Sequence, residues 1–213
     1  MPRLHLLLTA CLIGLFGCQT HNANYNSRLA HHSPSGFSNN YPGREPDMHD
    51  FFRWQWNRLL KPKPEHRADL VSWQAVNLNQ IHSTQGRSAT WLGHASVLIK
   101  SDGIHVLTDP IFSERASPVS WLGPKRIKPL PVDPANLPRI DAVVISHNHY
   151  DHLDLPSLKR LNSQAGGPPL FVVPLGNAEL LKRQGISNVK ALDWWQRIPV
   201  KDGLSVTLVP TQH

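Results

Sequence analysis

The rhythm of hydrophobic and polar positions changes several times along this chain, and each change predicts an element. Residues 4–16 are almost continuously apolar, interrupted mainly by His5, Thr9 and Gly14, and Arg3 precedes them. That run is too short for a comfortable membrane span and fits a secretory signal. From Thr20 to about Asn40 the chain turns rich in Asn, Ser, His and Pro with few aliphatics, which predicts a flexible tether, His31 and His32 included. Residues 51–61 read FFRWQWNRLLK. At helical spacing Phe52, Trp56, Leu59 and Leu60 share one face while Arg53, Arg58 and Lys61 lie away from it, and Pro62 and Pro64 end the helix. A basic amphipathic segment with Trp can lie in a bilayer interface or pack on a domain with its cations in water; the pattern leaves both open.

A different regime begins near Ala89. Two β-rich runs, Ala95 to Lys100 and Ile104 to Thr108, flank Ser101-Asp102-Gly103, a hairpin signal. Asp141 to Ser146 (DAVVIS) is a short apolar run of the kind found in buried strands. Leu155 to Leu161 reads as a helix with Asp154 as N-cap and Pro156 in its first turn. A strand at Leu170 to Val173, a helix at Asn177 to Gln184, and strands at Asn188 to Leu192 and Leu204 to Val209 follow. Strands that first pair locally and then alternate with helices predict an α/β or α+β domain with a central sheet.

Composition sharpens this outline. The 213 residues carry 22 Lys+Arg against 15 Asp+Glu, a formal net charge of +7, which favours an anionic partner without choosing one. Two cysteines exclude a disulfide-dense scaffold and a four-Cys zinc site. Leu15-Phe16-Gly17-Cys18 resembles the bacterial lipoprotein box. That resemblance implies that Cys11 is removed with the signal and Cys18 is acylated, leaving no thiol for catalysis. Gln19 after the cysteine implies the outer membrane, facing the periplasm. The expected organisation is a signal over 1–17, a tether over 18–45, a basic amphipathic extension over 46–88 and the compact domain over 89–213.

Histidine, at 13 residues, nearly equals the acids, and one segment explains why. His147-Asn148-His149-Tyr150-Asp151-His152 follows the DAVVIS strand directly, with four candidate ligands in six residues. In an extended stretch His147 and His149 point the same way, and a turn through Tyr150 can bring Asp151 and His152 towards a second position. Imidazole nitrogen with carboxylate oxygen suits Zn²⁺, and also Fe or Mn, better than Ca²⁺ or Mg²⁺.

The His-x-His-x-Asp-His pattern after an apolar strand resembles the signature of the metallo-β-lactamase superfamily. Thr90-Trp91-Leu92-Gly93-His94-Ala95, Leu107-Thr108-Asp109-Pro110-Ile111-Phe112, Arg115-Ala116-Ser117-Pro118, Gly123-Pro124-Lys125-Arg126, Val173-Pro174-Leu175-Gly176 and Leu192-Asp193-Trp194-Trp195 extend the likeness. Together they resemble the branch of N-acyl-phosphatidylethanolamine-hydrolysing phospholipase D and its bacterial relatives. The resemblance implies an αβ/βα sandwich with two metal ions, zinc foremost. One ion would take His147, His149 and His213; the other would take Asp151 and His152. Asp109 and His94 match positions that orient ligands or support the structure. The family pattern continues with a further Asp and His that have no counterpart before His213, so the expectation is the N-terminal half of the sandwich.

The implied reaction is hydrolysis of a phosphodiester by metal-activated water, with Asp151 orienting or deprotonating the nucleophile. Between Arg115 and Arg139 five cations face only Asp133; Arg115, Lys125 and Arg126 are candidate phosphate contacts, or else charges of a solvated, proline-stiffened loop. The substrate expected is an N-acylated ethanolamine phospholipid, with no nucleic acid as partner. The alternatives are the same fold acting on a lactone, thioester or nucleic-acid phosphodiester, and a truncated, non-catalytic envelope lipoprotein.

Overall fold

Six strands, three of them short and almost wholly apolar, carry the rest of the molecule. The computed structural model describes residues 21–41, 43, 47–61, 68–201 and 203–211. The proposed signal with Cys18, the prolines 62 and 64, and the proposed ligand His213 lie outside the described residues.

The chain divides into two units, residues 1–43 with 210–213, and residues 44–209. In the first, β1 (His32–Ser33) and β2 (Gly36–Phe37) pair antiparallel. The Asn22 amide closes their turn by donating to Ser33 O at 3.1 Å and Gly36 O at 2.8 Å.

The second unit opens with α1 (Met48–Leu60). It begins three residues before the apolar pattern because Asp47 and Asp50 form a capping box: the Asp50 N–H donates to Asp47 Oδ1 at 2.8 Å. Next come α2 (Leu78–Ser83), β3 (Ser88–Gly93), β4 (Ser96–Ser101), β5 (Ile104–Thr108), β6 (Ala142–Val144), α3 (Leu155–Asn162), β7 (Leu170–Pro174), α4 (Ala178–Arg183), β8 (Val189–Leu192), β9 (Arg197–Lys201) and β10 (Leu204–Thr207). Strands β3 to β8 form one sheet in sequence order, and β9 and β10 form a separate hairpin. Pairing is antiparallel from β3 to β5 and parallel from β5 to β8. The predicted α/β class with a central sheet is therefore the observed one, and the sheet is mixed.

The hairpin expected at Ser101-Asp102-Gly103 forms with both Asp102 (φ 49°) and Gly103 (φ 83°) in the left-handed region, as a tight turn between twisted strands requires. Along β4 the side chains alternate: Leu98 is buried and Ile99 exposed. Leu98, Leu107, Val143, Phe171 and Val173 lie together in the core with Leu158 and Leu161 of α3, Leu181 of α4 and Ile186. Ile81 of α2 joins the same cluster, so the segment before Ala89 contributes to the core.

Strands β1 and β2 stand inside the segment expected as a tether, and three elements of the second unit also escaped the pattern. Helix α2 spans only six residues. Strand β3 mixes small and large residues, and β9 contains Pro199, which argues against a central strand. The structure tolerates Pro199 because its hairpin is two-stranded, so every strand of it is an edge. Asp154 sits at the N-cap position of α3 without capping the backbone. Its carboxylate instead accepts from Ser113 N and Oγ, at 3.2 and 2.8 Å, and from Ser157 Oγ, tying the chain after β5 to the first turn of α3.

Asp141, just before β6, is a second buried acid with a structural task. Its carboxylate accepts from Arg139 Nη1 (2.5 Å), Lys201 Nζ (2.7 Å) and His105 N (2.9 Å), joining β5, β6 and β9. Burial alone would raise its pKa, but the hydrogen bonds from Lys201 and the His105 N–H and the charges of Lys201 and Arg139 outweigh it, and the pKa is lowered. A carboxylate whose folded pKa lies below its unfolded value of about 4 contributes stability above that pH and loses it as pH falls through the folded value. Asp141→Asn should therefore cost about 1–3 kcal/mol at neutral pH. Urea melts at several pH values should show the gap from the parent closing below about pH 4.

Candidate metal centre

The parallel strands deliver their carboxyl ends to one edge of the sheet, and the candidate residues gather there. Thr108 of β5 stands beside Val144 of β6, and the Asp109 N–H continues the ladder to Val144 O at 2.9 Å. Asp109 (φ 35°) then leaves the strand in the left-handed region, which turns its carboxylate beneath the loop that follows β6. Oδ1 accepts from Ser146 N at 2.7 Å, and Oδ2 accepts from Ser146 Oγ at 2.7 Å and His152 Nδ1 at 2.9 Å.

These bonds fix tautomers. The serine hydroxyl proton goes to Asp109, so Ser146 Oγ receives the Nδ1–H of His147 at 2.9 Å. Both bonds use Nδ1 as the donor, so Nε2 is the nitrogen each ring turns to the cluster and the one whose lone pair a metal would take. The loop then doubles back: His149 O accepts from His152 N at 3.0 Å and Leu153 N at 2.8 Å, and Leu153 is buried in the core. His147 Nε2 lies 3.0 Å from His149 Nδ1. The rings of His147 and His152 have centroids 4.1 Å apart.

His94 arrives from the turn between β3 and β4. Gly93 (φ 107°) and His94 (φ 49°) are both left-handed, and the turn is fastened by Trp91 Nε1 donating to His94 O at 2.8 Å and Thr108 Oγ1 donating to Ala95 O at 2.7 Å. His94 Nε2 meets Asp151 Oδ2 at 2.8 Å, while His152 Nε2 stands 3.5 Å from the same oxygen. Ligand atoms of His94, Asp151 and His152 all fall within 4.8 Å of one another. His94, expected in a supporting role, thus reaches the cluster with its own ring nitrogen. Burial alone would raise the Asp151 pKa, but its own backbone N–H, the hydrogen bond from His94 and the charges of His152 and His94 lower it instead.

The donor set fits a borderline divalent ion. Donors bonded to zinc at about 2.0–2.1 Å in tetrahedral geometry stand about 3.3 Å apart. The contacts at 2.8, 3.0 and 3.5 Å bracket that spacing. Ser146, which joins Asp109 to two histidines, is the residue the pattern missed; nothing in its sequence position distinguishes it from an ordinary strand-end serine.

The basic loop behaves unevenly. Arg115 Nη1 donates to Gly123 O at 2.7 Å and closes its own loop. Arg126 Nη2 donates to Ile111 O at 2.6 Å, and burial lowers its pKa although Asp154 opposes this. Lys125 is exposed and lies 3.5 Å from Glu114. A groove of about 1160 Å³ is lined by Val71, Trp73, Val76, Ile81, Trp91 and Ile127 together with His94 and Asp151. Lys125, Arg126 and Lys128 line it, whereas Arg115 does not.

Gly93 sits where the loop and the His94 turn meet. A Cβ there would stand 3.3 Å from Arg126 Nη1, on a backbone that L-residues rarely adopt. Gly93→Ala should cost about 1–3 kcal/mol. By displacing His94 it should also weaken metal retention, which thermal melts and metal analysis of the purified variant will read together.

Comparison with known proteins agrees with this geometry. A family described as "Beta-lactamase superfamily domain" matches residues 105–213; the chain belongs to that superfamily. N-acyl-phosphatidylethanolamine-hydrolyzing phospholipase D 1 of Caenorhabditis elegans is 40% identical over 147 residues, 65% of this chain and 41% of the worm protein. The mitochondrial enzyme of that name from Saccharomyces cerevisiae is 36% identical over 58% of this chain and 26% of its own. A UPF0173 metal-dependent hydrolase of Methanopyrus kandleri is 33% identical over 58% of this chain and 46% of its own. The chain thus spans less than half the length of these relatives. Among solved structures, a metallo hydrolase from Ignicoccus hospitalis overlaps 60% of this chain and 49% of its own at 21% identity, with a TM-score of 0.42.

Proposed function

We propose that this chain forms part of a metal-dependent hydrolase that cleaves a phosphodiester in N-acyl-phosphatidylethanolamine-like lipids. The observation that carries the reading is the groove: apolar side chains line it together with two members of the histidine–aspartate cluster, His94 and Asp151. An acyl chain needs apolar walls, and a phosphodiester needs cations and ligands in the same groove. The two relatives named as phospholipases of this type support the same substrate class.

In this reading His147, His149, His152 and Asp151 hold the metal, with His213 as a further ligand, and His94 donates from Nε2 to Asp151 Oδ2 and orients that carboxylate. The chemistry zinc, iron or manganese supplies when bound is Lewis acidity towards phosphoryl oxygen and water. Asp109 and Ser146 keep the lone pairs of His147 and His152 on Nε2. Asp151 Oδ2, hydrogen-bonded to His94, is the acceptor placed to take a proton from the attacking water. Lys125 and Lys128 hold the phosphate from the groove wall, whereas Arg115 and Arg126 bind main-chain carbonyls and shape the loop. Export and acylation at Cys18, facing the periplasm, would place the groove near its substrate.

The test is release of N-acylethanolamine from N-acyl-phosphatidylethanolamine in mixed micelles by the full-length gene product. We expect release that ends on chelation and returns with metal. Metal-dependent hydrolysis of a lactone or thioester, with the phospholipid left intact, would replace this substrate assignment with another.

A further inference from the structure

Helix α1 has no buried residue anywhere along its 13 positions. Met48, Phe51, Phe52, Trp54, Trp56, Leu59 and Leu60 are each between 47% and 79% exposed. A helix packed on its domain hides one face; against the described residues this one hides none.

The distribution of its side chains is ordered. At about 100° per residue, Met48, Phe51, Phe52, Trp56, Leu59 and Leu60 fall within about half the circumference, together with Gln55 and His49. Phe51 and Leu60 bound that arc, and Arg58 and Arg53 stand immediately outside its two edges. Asp50, Asn57 and Lys61 lie opposite. Arg53 is held along the helix surface by Asp50 at 2.7 Å, and the Arg58 guanidinium lies 5.4 Å from the Trp54 ring centroid. An apolar arc flanked on both sides by arginines, with Trp56 among its aromatics, suits a boundary between hydrocarbon and phosphate; Trp54 stands outside the arc, against the Arg58 guanidinium. At such a boundary arginine stems can lie along the apolar side while their heads reach headgroups.

We propose that α1 is an interfacial helix that lies in the surface of an anionic phospholipid bilayer, its arc towards the acyl chains. A second copy of the chain is the less suitable occupant, because each copy carries the same net charge of +7; a surface of anionic headgroups complements that charge. The inference rests on the helix alone and stands whatever the groove hydrolyses.

The test uses the full chain with Cys11→Ser and Cys18→Ser, which removes acylation and native thiols. A single environment-sensitive fluorophore is attached at Leu59→Cys, inside the arc, or at Asn57→Cys, opposite it. With vesicles of phosphatidylcholine and phosphatidylglycerol, emission from position 59 should move to shorter wavelength while that from position 57 stays. Phe52→Glu with Trp56→Glu should lower the vesicle partitioning read at position 59 by about tenfold or more. Circular dichroism should be unchanged, since neither side chain is buried. Three results would overturn the proposal: position 59 unmoved by vesicles, both positions moving alike, or position 59 already shielded without lipid in a chain that sediments as a dimer.

Discussion

Asp109→Asn should leave a folded protein that has lost about 10–100-fold in metal affinity. Asparagine keeps one acceptor oxygen, enough for the Ser146 N–H, and tolerates the left-handed backbone that Asp109 adopts. It replaces the second oxygen with a donor, and that oxygen now receives both Ser146 Oγ and His152 Nδ1. The His152 ring would have to move its proton to Nε2, the atom that faces Asp151. The defect should therefore appear in metal retention, measured by competition with a chromophoric chelator, before it appears in melting. Asp109→Ala goes further. It removes the acceptor of the Ser146 N–H, the Ser146 hydroxyl and His152 Nδ1; Ser146 is exposed and His152 half-buried, so water takes up part of the loss and each bond should cost about 0.5–1.5 kcal/mol. Equal metal affinity in the parent and the asparagine variant would show that the carboxylate does not set the tautomer of His152.

Phe171→Ala should be the most destabilising single change in the core, about 3–5 kcal/mol. Phe171 is fully buried in β7, its backbone paired with Val143 and Val189 on either side. Its ring shares the core with Leu158, Leu161 and Leu181 from the two helices. These neighbours are held by their own strands and helices and cannot collapse into the space, so loss of packing adds to loss of burial. At about 2–4 °C per kcal/mol for a domain of this size, the melting temperature should fall by about 10 °C or more. A fall of only a degree or two in a calorimetric scan would place Phe171 outside the central core.

Much of this arrangement was legible in the residues. Strands β4 to β7 announce themselves through the Asp-Gly turn and the apolar runs, and HNHYDH offers the candidate ligands through its residue types and spacing alone. What was not legible is instructive. The partner of His94 could not be read, because its approach to Asp151 depends on two successive left-handed residues and a parallel pairing across 36 positions, from Val106 to Ala142. Arg115 and Arg126 are candidate phosphate contacts by charge, and sequence does not show the main-chain carbonyls that each guanidinium also engages. Asp154 looked like a cap because its position is correct; only the fold reveals that Ser113 and Ser157 take its carboxylate.

The compactness of the HNHYDH segment carries a thermodynamic consequence. Its four donors lie within six consecutive residues, so an unfolded chain keeps most of its chelating power, and added metal would bind both states. Only affinity in excess of the denatured ensemble's raises the melting point. That excess resides in His94 and Asp109, which reach the segment solely through the folded sheet. Metal-induced stabilisation should therefore be smaller than the holoprotein's dissociation constant implies, and the shortfall measures how far the denatured chain competes for the ion.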